Sequence, residues 1–81
     1  YEQFSIFPNP AKDALNIKHL GEDIALRQNF SFELLNSRFE RILSGTLTTL
    51  QRLDVSNFEE GNYILRIYNT DSSRSYHVII K

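Results

Sequence analysis

The sequence contains no cysteine, and among its 81 residues there are only three glycines and two prolines. Without cysteine there are no disulfides and no thiolate zinc sites. That absence does not identify a compartment, because many exported proteins lack disulfides. An excess of one charge is missing too: nine basic and ten acidic side chains are scattered along the chain, for a net charge of −1. Neither a nucleic-acid stripe nor a polybasic anchor is present, so no nucleic-acid partner and no direct membrane insertion are expected. The longest apolar runs are a few residues, which leaves no helical span and no signal peptide within the chain. Tyr1 is not an initiator methionine; the chain is expected to be part of a longer protein whose targeting sequence lies upstream. A chain of this length supports one small domain, burying roughly 60% of its unfolded surface.

What is present is alternation. Tyr63, Leu65 and Ile67 alternate with more polar neighbours, as do Tyr76, Val78 and Ile80, which is the period of a half-buried β-strand. Asn69-Thr70-Asp71-Ser72-Ser73 between them is turn chemistry, so 61–68 and 74–81 read as a hairpin. With both apolar triplets on one face, the expected register sets 63 opposite 80, 65 opposite 78 and 67 opposite 76. On the other face Ile64 then meets Ile79, Arg66 meets His77, and Tyr68 meets Ser75. A slip of one residue would turn a whole triplet outward.

Earlier in the chain, Phe4-Ser5-Ile6-Phe7 is a short strand stopped by Pro8-Asn9-Pro10, because each proline fixes its φ and extends its predecessor. A second strand is expected over 14–20, with Leu15 and Ile17 on one face. The stretch 24–29 reads either as a short edge strand or as a loop over the core. Phe30, Phe32 and Leu34 give a third strand, Asn36-Ser37-Arg38 a turn, and 39–48 a fourth strand whose Gly45 is a candidate bulge. Leu50, Leu53 and Val55 suggest a fifth, and Phe58-Glu59-Glu60-Gly61 leads into the hairpin. No segment carries helical spacing with start and stop signals. Six or seven short strands separated by turns predict an all-β fold: a small antiparallel, immunoglobulin-like β-sandwich forming a single domain over 1–81.

Catalytic chemistry is hard to place. His19, Glu22 and Asp23 cluster at a loop but match no metal-ligand spacing. Two histidines and many serines form no triad or nucleophile elbow. Asp13, Asp54 and Asp71 read as turn residues bonded to their own backbone. No enzyme activity, cofactor or metal is expected. The outer face of the hairpin stands out: Ile64, Tyr68 and Ile79 are apolar where a solvated sheet would be polar, bordered by Arg66, His77 and Lys81. His77 is expected to face solvent beside Arg66.

Two blocks of sequence carry a family resemblance. Phe4-Ser5-Ile6-Phe7-Pro8-Asn9-Pro10-Ala11-Lys12-Asp13 followed by Leu15-Asn16-Ile17 resembles the opening of the type A C-terminal sorting domain of the type IX (Por) secretion system of Bacteroidetes. Leu53-Asp54-Val55-Ser56, followed by Gly61-Asn62-Tyr63-Ile64-Leu65-Arg66-Ile67, is similar to that family's ending. The resemblance runs from about Phe4 to Lys81, with 1–3 as residual linker. It departs from the family where Asn36-Ser37-Arg38-Phe39 replaces a frequent glycine turn, and where Arg74 and His77 precede the single Lys81 of the last strand.

The resemblance implies a seven-stranded immunoglobulin-like sandwich that acts as a recognition signal at the C-terminus of a secreted protein. An outer-membrane translocon would bind it and a sortase would usually remove it, the parent passing through the periplasm to the cell surface or medium. Motif positions carried over are Pro8, Asn9, Pro10, Gly61, Tyr63 and Lys81. Gly61 is expected in a positive-φ turn and Tyr63 pointing inward, which makes both structural. The docking face is therefore expected at Ile64, Arg66, Tyr68, His77, Ile79 and Lys81, on a domain taken as a monomer. The alternative reading is an immunoglobulin-like adhesion or carbohydrate-binding accessory module of a surface protein.

Overall fold

A computed structural model describes residues 4–19, 30–47, 50–70 and 72–81. Among them are seven strands and no helix: β1 (Phe4–Phe7), β2 (Ala14–His19), β3 (Ser31–Leu35), β4 (Arg41–Thr46), β5 (Leu50–Asp54), β6 (Gly61–Tyr68) and β7 (Ser73–Ile80). One antiparallel sheet has the order β1-β2-β5 and the other β4-β3-β6-β7. The architecture is an all-β sandwich compatible with a small immunoglobulin-like fold. The stretch 24–29 and the residues Glu22, Asp23 and Asp71 lie outside the described residues.

Alternation determines which side chains meet between the sheets. Leu15, Ile17 and Leu53 from the first sheet join Phe32, Leu34, Tyr63, Leu65, Ile67, Val78 and Ile80 from the second in one buried cluster. Tyr76 shares that face and packs against the cluster half-buried. Aromatic packing closes one margin, where the Phe4 and Phe30 rings meet edge to face at 5.3 Å.

The β6–β7 hairpin keeps the expected faces but not the expected register. Tyr63 lies opposite Val78, Leu65 opposite Tyr76 and Ile67 opposite Arg74. On the other face Ile64 lies opposite His77, Arg66 opposite Ser75, and Tyr68 opposite Ser73. The ladder is offset by two residues from the alternation-based pairing, which preserves every inside–outside assignment. The cause is the turn. Asn69 Oδ1 accepts the Ser72 N–H at 2.8 Å and the Ser72 hydroxyl at 3.2 Å, and the Asn69 N–H donates to the Ser72 carbonyl at 2.9 Å. This Asx closure lets Ser73 pair with Tyr68 as the first residue of β7 instead of belonging to the expected 69–73 turn.

The bulge also falls elsewhere than at Gly45. Leu34 pairs with Leu43 while Leu35 pairs with Arg41, so Ile42 is the extra residue in β4. The insertion explains the adjacent apolar pair, since Ile42 and Leu43 both pack against the core. Gly45 lies opposite Phe32, where a Cβ would sit 3.1 Å from the ring. The glycine therefore makes room for an aromatic. Phe39 is not in β4; it belongs to the turn that precedes it.

Candidate docking surface

Pro8, Asn9 and Pro10 form a corner between β1 and β2 that reaches across to the other sheet. Both prolyl bonds are cis. The Asn9 side chain lies along β7: its Nδ2 donates to the His77 carbonyl at 3.1 Å, and its Oδ1 accepts the Ile79 N–H at 3.0 Å. The next residues continue the seam through the main chain. Ala11 N–H donates to the Ile79 carbonyl at 2.7 Å, Lys81 N–H donates to the Ala11 carbonyl at 2.8 Å, and Ala11 bridges Ile80 in parallel sense. An amide side chain carries a donor and an acceptor spaced like a peptide group, and here it fills one rung of a ladder.

Gly61 and Tyr63 sit at the start of β6. Gly61 has φ +154° and is the first paired residue of the strand, opposite Ile80, rather than a residue of the turn before it. Tyr63 is buried, its hydroxyl donates to the Glu59 carbonyl at 2.6 Å, and its ring stacks on Phe58 at 6.2 Å. Lys81 is exposed and enters the seam through its N–H.

The outer face of β6 and β7 presents Ile64, Arg66, Tyr68, His77 and Ile79 on one side of the sheet. Ile64, Arg66, Tyr68 and Ile79 are half-buried and His77 is exposed. The observed register separates two residues expected to be opposed: Ile79 lies across from Asn62, which makes it a diagonal neighbour of Ile64. His77 is exposed as expected, pairs with Asn62 through Nε2 and Oδ1 at 2.9 Å, and is a diagonal rather than a direct neighbour of Arg66.

Sequence reasoning missed the contribution of β3. Leu35 lies directly opposite Ile64, and Glu33 directly opposite Arg66. Glu33 Oε2 accepts from Arg66 Nη1 at 3.0 Å, and its Oε1 stands 3.9 Å from Arg41 Nη1. The Arg66 guanidinium lies 4.3 Å above the Tyr68 ring centre. The face thus divides into an apolar group of Leu35, Ile64 and Ile79 and a charged chain of Arg41, Glu33 and Arg66 that ends on the Tyr68 ring. The signal was available: alternation from Phe32 and Leu34 puts Glu33 and Leu35 outward.

The β3–β4 turn stands apart from this face. Asn36 Oδ1 accepts the N–H groups of Arg38 and Glu40 at 2.9 and 3.0 Å, and its Nδ2 donates to Glu40 Oε1 at 2.9 Å. These bonds hold Phe39 at φ 63°, the left-handed region, with 70% of its surface exposed. An open cleft of about 430 Å³ lies beside the turn, with Arg38, Glu40, Phe58, Glu59, Glu60 and Tyr63 among its lining residues. Among the described residues no three His, Asp or Glu side chains gather as a metal site. Asp54 is a turn residue through its side chain: Oδ1 accepts the Ser56 hydroxyl at 2.7 Å and the Ser56 N–H at 3.0 Å. Those bonds, with Arg52 nearby, outweigh a small desolvation and hold its carboxyl below the usual range. Asp13 takes part through its main chain, where its carbonyl accepts the Val55 N–H at 3.0 Å.

Comparison with known proteins adds the family. No curated protein matches the chain. A family model described as the secretion system C-terminal sorting domain matches residues 5–81, a span that holds both the proline corner and the Gly61–Tyr63 strand. Sorting tails of this kind mark secreted or cell-surface proteins, engage the type IX secretion machinery and are not an enzyme family. The chain belongs to the secretion system C-terminal sorting domains of type IX secretion.

Proposed function

We propose that residues 1–81 form one sorting domain, residues 1–3 being residual linker, that docks to the outer-membrane translocon of type IX secretion through the outer face of β6 and β7. Ile64, Arg66, Tyr68, His77, Ile79 and Lys81 contact the translocon, the parent passes through the periplasm on its way out, and a sortase then removes the domain. One observation carries the reading: a sorting-family chain keeps Leu35, its cross-strand neighbour Ile64 and the diagonal Ile79 only half-buried on one face, flanked by fixed charge. Interfaces join a small apolar centre to a polar rim in this way. The guanidinium of Arg66 over Tyr68 leaves that ring poorly placed as a sugar platform, which disfavours a carbohydrate-binding module.

The test is export of a fluorescent passenger carrying this chain in a host with the secretion system and a periplasmic export signal. Ile64→Glu with Ile79→Glu leaves the fold in place, because both side chains face away from the core and are diagonal rather than opposed. It puts unpaired charge into the docked interface and retains the passenger in the periplasm. Export of the folded double variant at the parental level removes the proposed face. Retention of the unmutated fusion removes the sorting reading of this chain.

A further inference from the structure

β7 is an outer strand of its sheet, and an outer strand presents main-chain groups on its free side. The proline corner reveals which groups these are. The Ile79 N–H and the His77 carbonyl reach Asn9, the Ile79 carbonyl reaches the Ala11 N–H, and the Lys81 N–H reaches the Ala11 carbonyl. Positions 77, 79 and 81 therefore turn their main chain away from β6, and the two-residue period adds Ser75 and Ser73. Asn9 and Ala11 cover this edge from the His77 carbonyl onward. The N–H of His77 and both main-chain groups of Ser75 and Ser73 point outward with no partner among the described residues.

We propose that this open half of β7, residues 73–77, takes up an extended acidic segment of the secretion machinery as an added strand. The inference rests on the sorting reading and supplies what the outer face lacks, a main-chain template that fixes register. Residues 72–81 contain Arg74, His77 and Lys81 and no carboxylate side chain. Arg74 and Lys81, the cations of this edge, oppose pairing with a second copy of the same edge and favour a partner strand bearing acids. Asn9 ends the open run, so an incoming strand has a fixed stopping point. Its side chains would extend the face that already carries Ile64 and Arg66, so that main-chain bonds contribute affinity while the flanking side chains select the partner.

Ser75→Pro is the decisive variant. Its N–H points away from β6, so a proline there removes an outward donor and obstructs an added strand without breaking a rung of the sheet. In the fluorescent-fusion assay, Ser75→Ala exports like the parent. Ser75→Pro, checked by thermal melting, is folded yet falls roughly tenfold in surface and medium yield, the worth of about one main-chain bond. Arg74→Glu, shown by thermal melting to be folded, lowers export as well and Arg74→Lys does not, a pair that decides the question even if the proline variant fails to fold. Parental export of folded Ser75→Pro, or of Arg74→Glu, overturns the proposal. So does a dimer of the parent chain in sedimentation that Ser75→Pro abolishes, because the edge then belongs to a second copy. If the unmutated fusion itself is retained, the sorting reading falls and this inference falls with it.

Discussion

Asn9 and Ile79 stand seventy residues apart in the chain, and the side chain of one completes the main chain of the other. The bond at 3.0 Å and its companion from Asn9 Nδ2 to the His77 carbonyl tie the proline corner of one sheet to the outer strand of the other. The asparagine of the motif is thus a piece of ladder, and the flanking prolines hold the corner that carries it.

Asn9→Ala is expected to lower stability by about 1–2 kcal/mol, the net worth of two hydrogen bonds at an exposed edge. Asn9→Asp keeps the acceptor for the Ile79 N–H but sets a carboxylate against the His77 carbonyl, so it recovers little. Thermal melting, with amide exchange at Ile79 as the local reporter, measures both. Unchanged exchange at Ile79 in Asn9→Ala would contradict the clamp.

Gly61→Val is expected to cost roughly 1 kcal/mol or more through backbone strain. A Cβ built at Gly61 meets nothing within 4 Å, so the penalty comes from φ +154° and not from crowding. Gly61→Ala should therefore cost about as much as Gly61→Val. A cost that grows with side-chain size in denaturant melts would point to packing instead.

Phe39→Gly is expected to raise stability by about 0.5–1 kcal/mol, because an aromatic at φ 63° is strained and its exposed ring gives up little burial. Phe39→Asn should gain similarly, since asparagine tolerates the left-handed region. Chemical denaturation of the three chains decides, and a loss of stability in both variants would mean that the Phe39 ring contributes packing.

Asp54 makes stability depend on acid. Its carboxyl titrates below its ordinary value of 3.8, chiefly because the Ser56 hydroxyl and then the Ser56 N–H bond its charged form. A group lowered on folding stabilises fully above its unfolded pKa and loses that contribution as pH falls through the folded pKa. Ser56→Ala removes the hydroxyl bond, so the Asp54 carboxyl should move back toward 3.8 in a carbon-detected titration. The stability gap between parent and variant should be open at neutral pH and close in the window below that value.

Side-chain alternation made the strands and their faces legible, because a half-buried strand records its inside in every second residue. Leu15, Ile17, Leu34, Leu65 and Val78 are fully buried as that period requires. Register was not legible from the same signal. Pairings two residues apart bury identical side chains, and the choice between them rested on Asn69 closing its turn early. The bulge misled for a related reason: Gly45 looks like an irregularity in one strand, and only its neighbour Phe32 across the ladder explains it. The face proposed for docking was half visible. The hairpin outlined it, whereas Glu33 and Leu35 join it through a strand order that local periodicity does not encode.

The seam from Asn9 to Lys81 also bears on how the fold is completed. Contacts between residues this distant form only after the intervening chain is in place, and such non-local pairings are the slow kind to close. No partial product that stops short of His77 can form the Asn9 clamp, however well its earlier strands pair. The corner and the last strand together report that the chain has been made as far as Lys81, so under the proposal above a receptor that reads the finished edge of β7 would discriminate against truncated cargo.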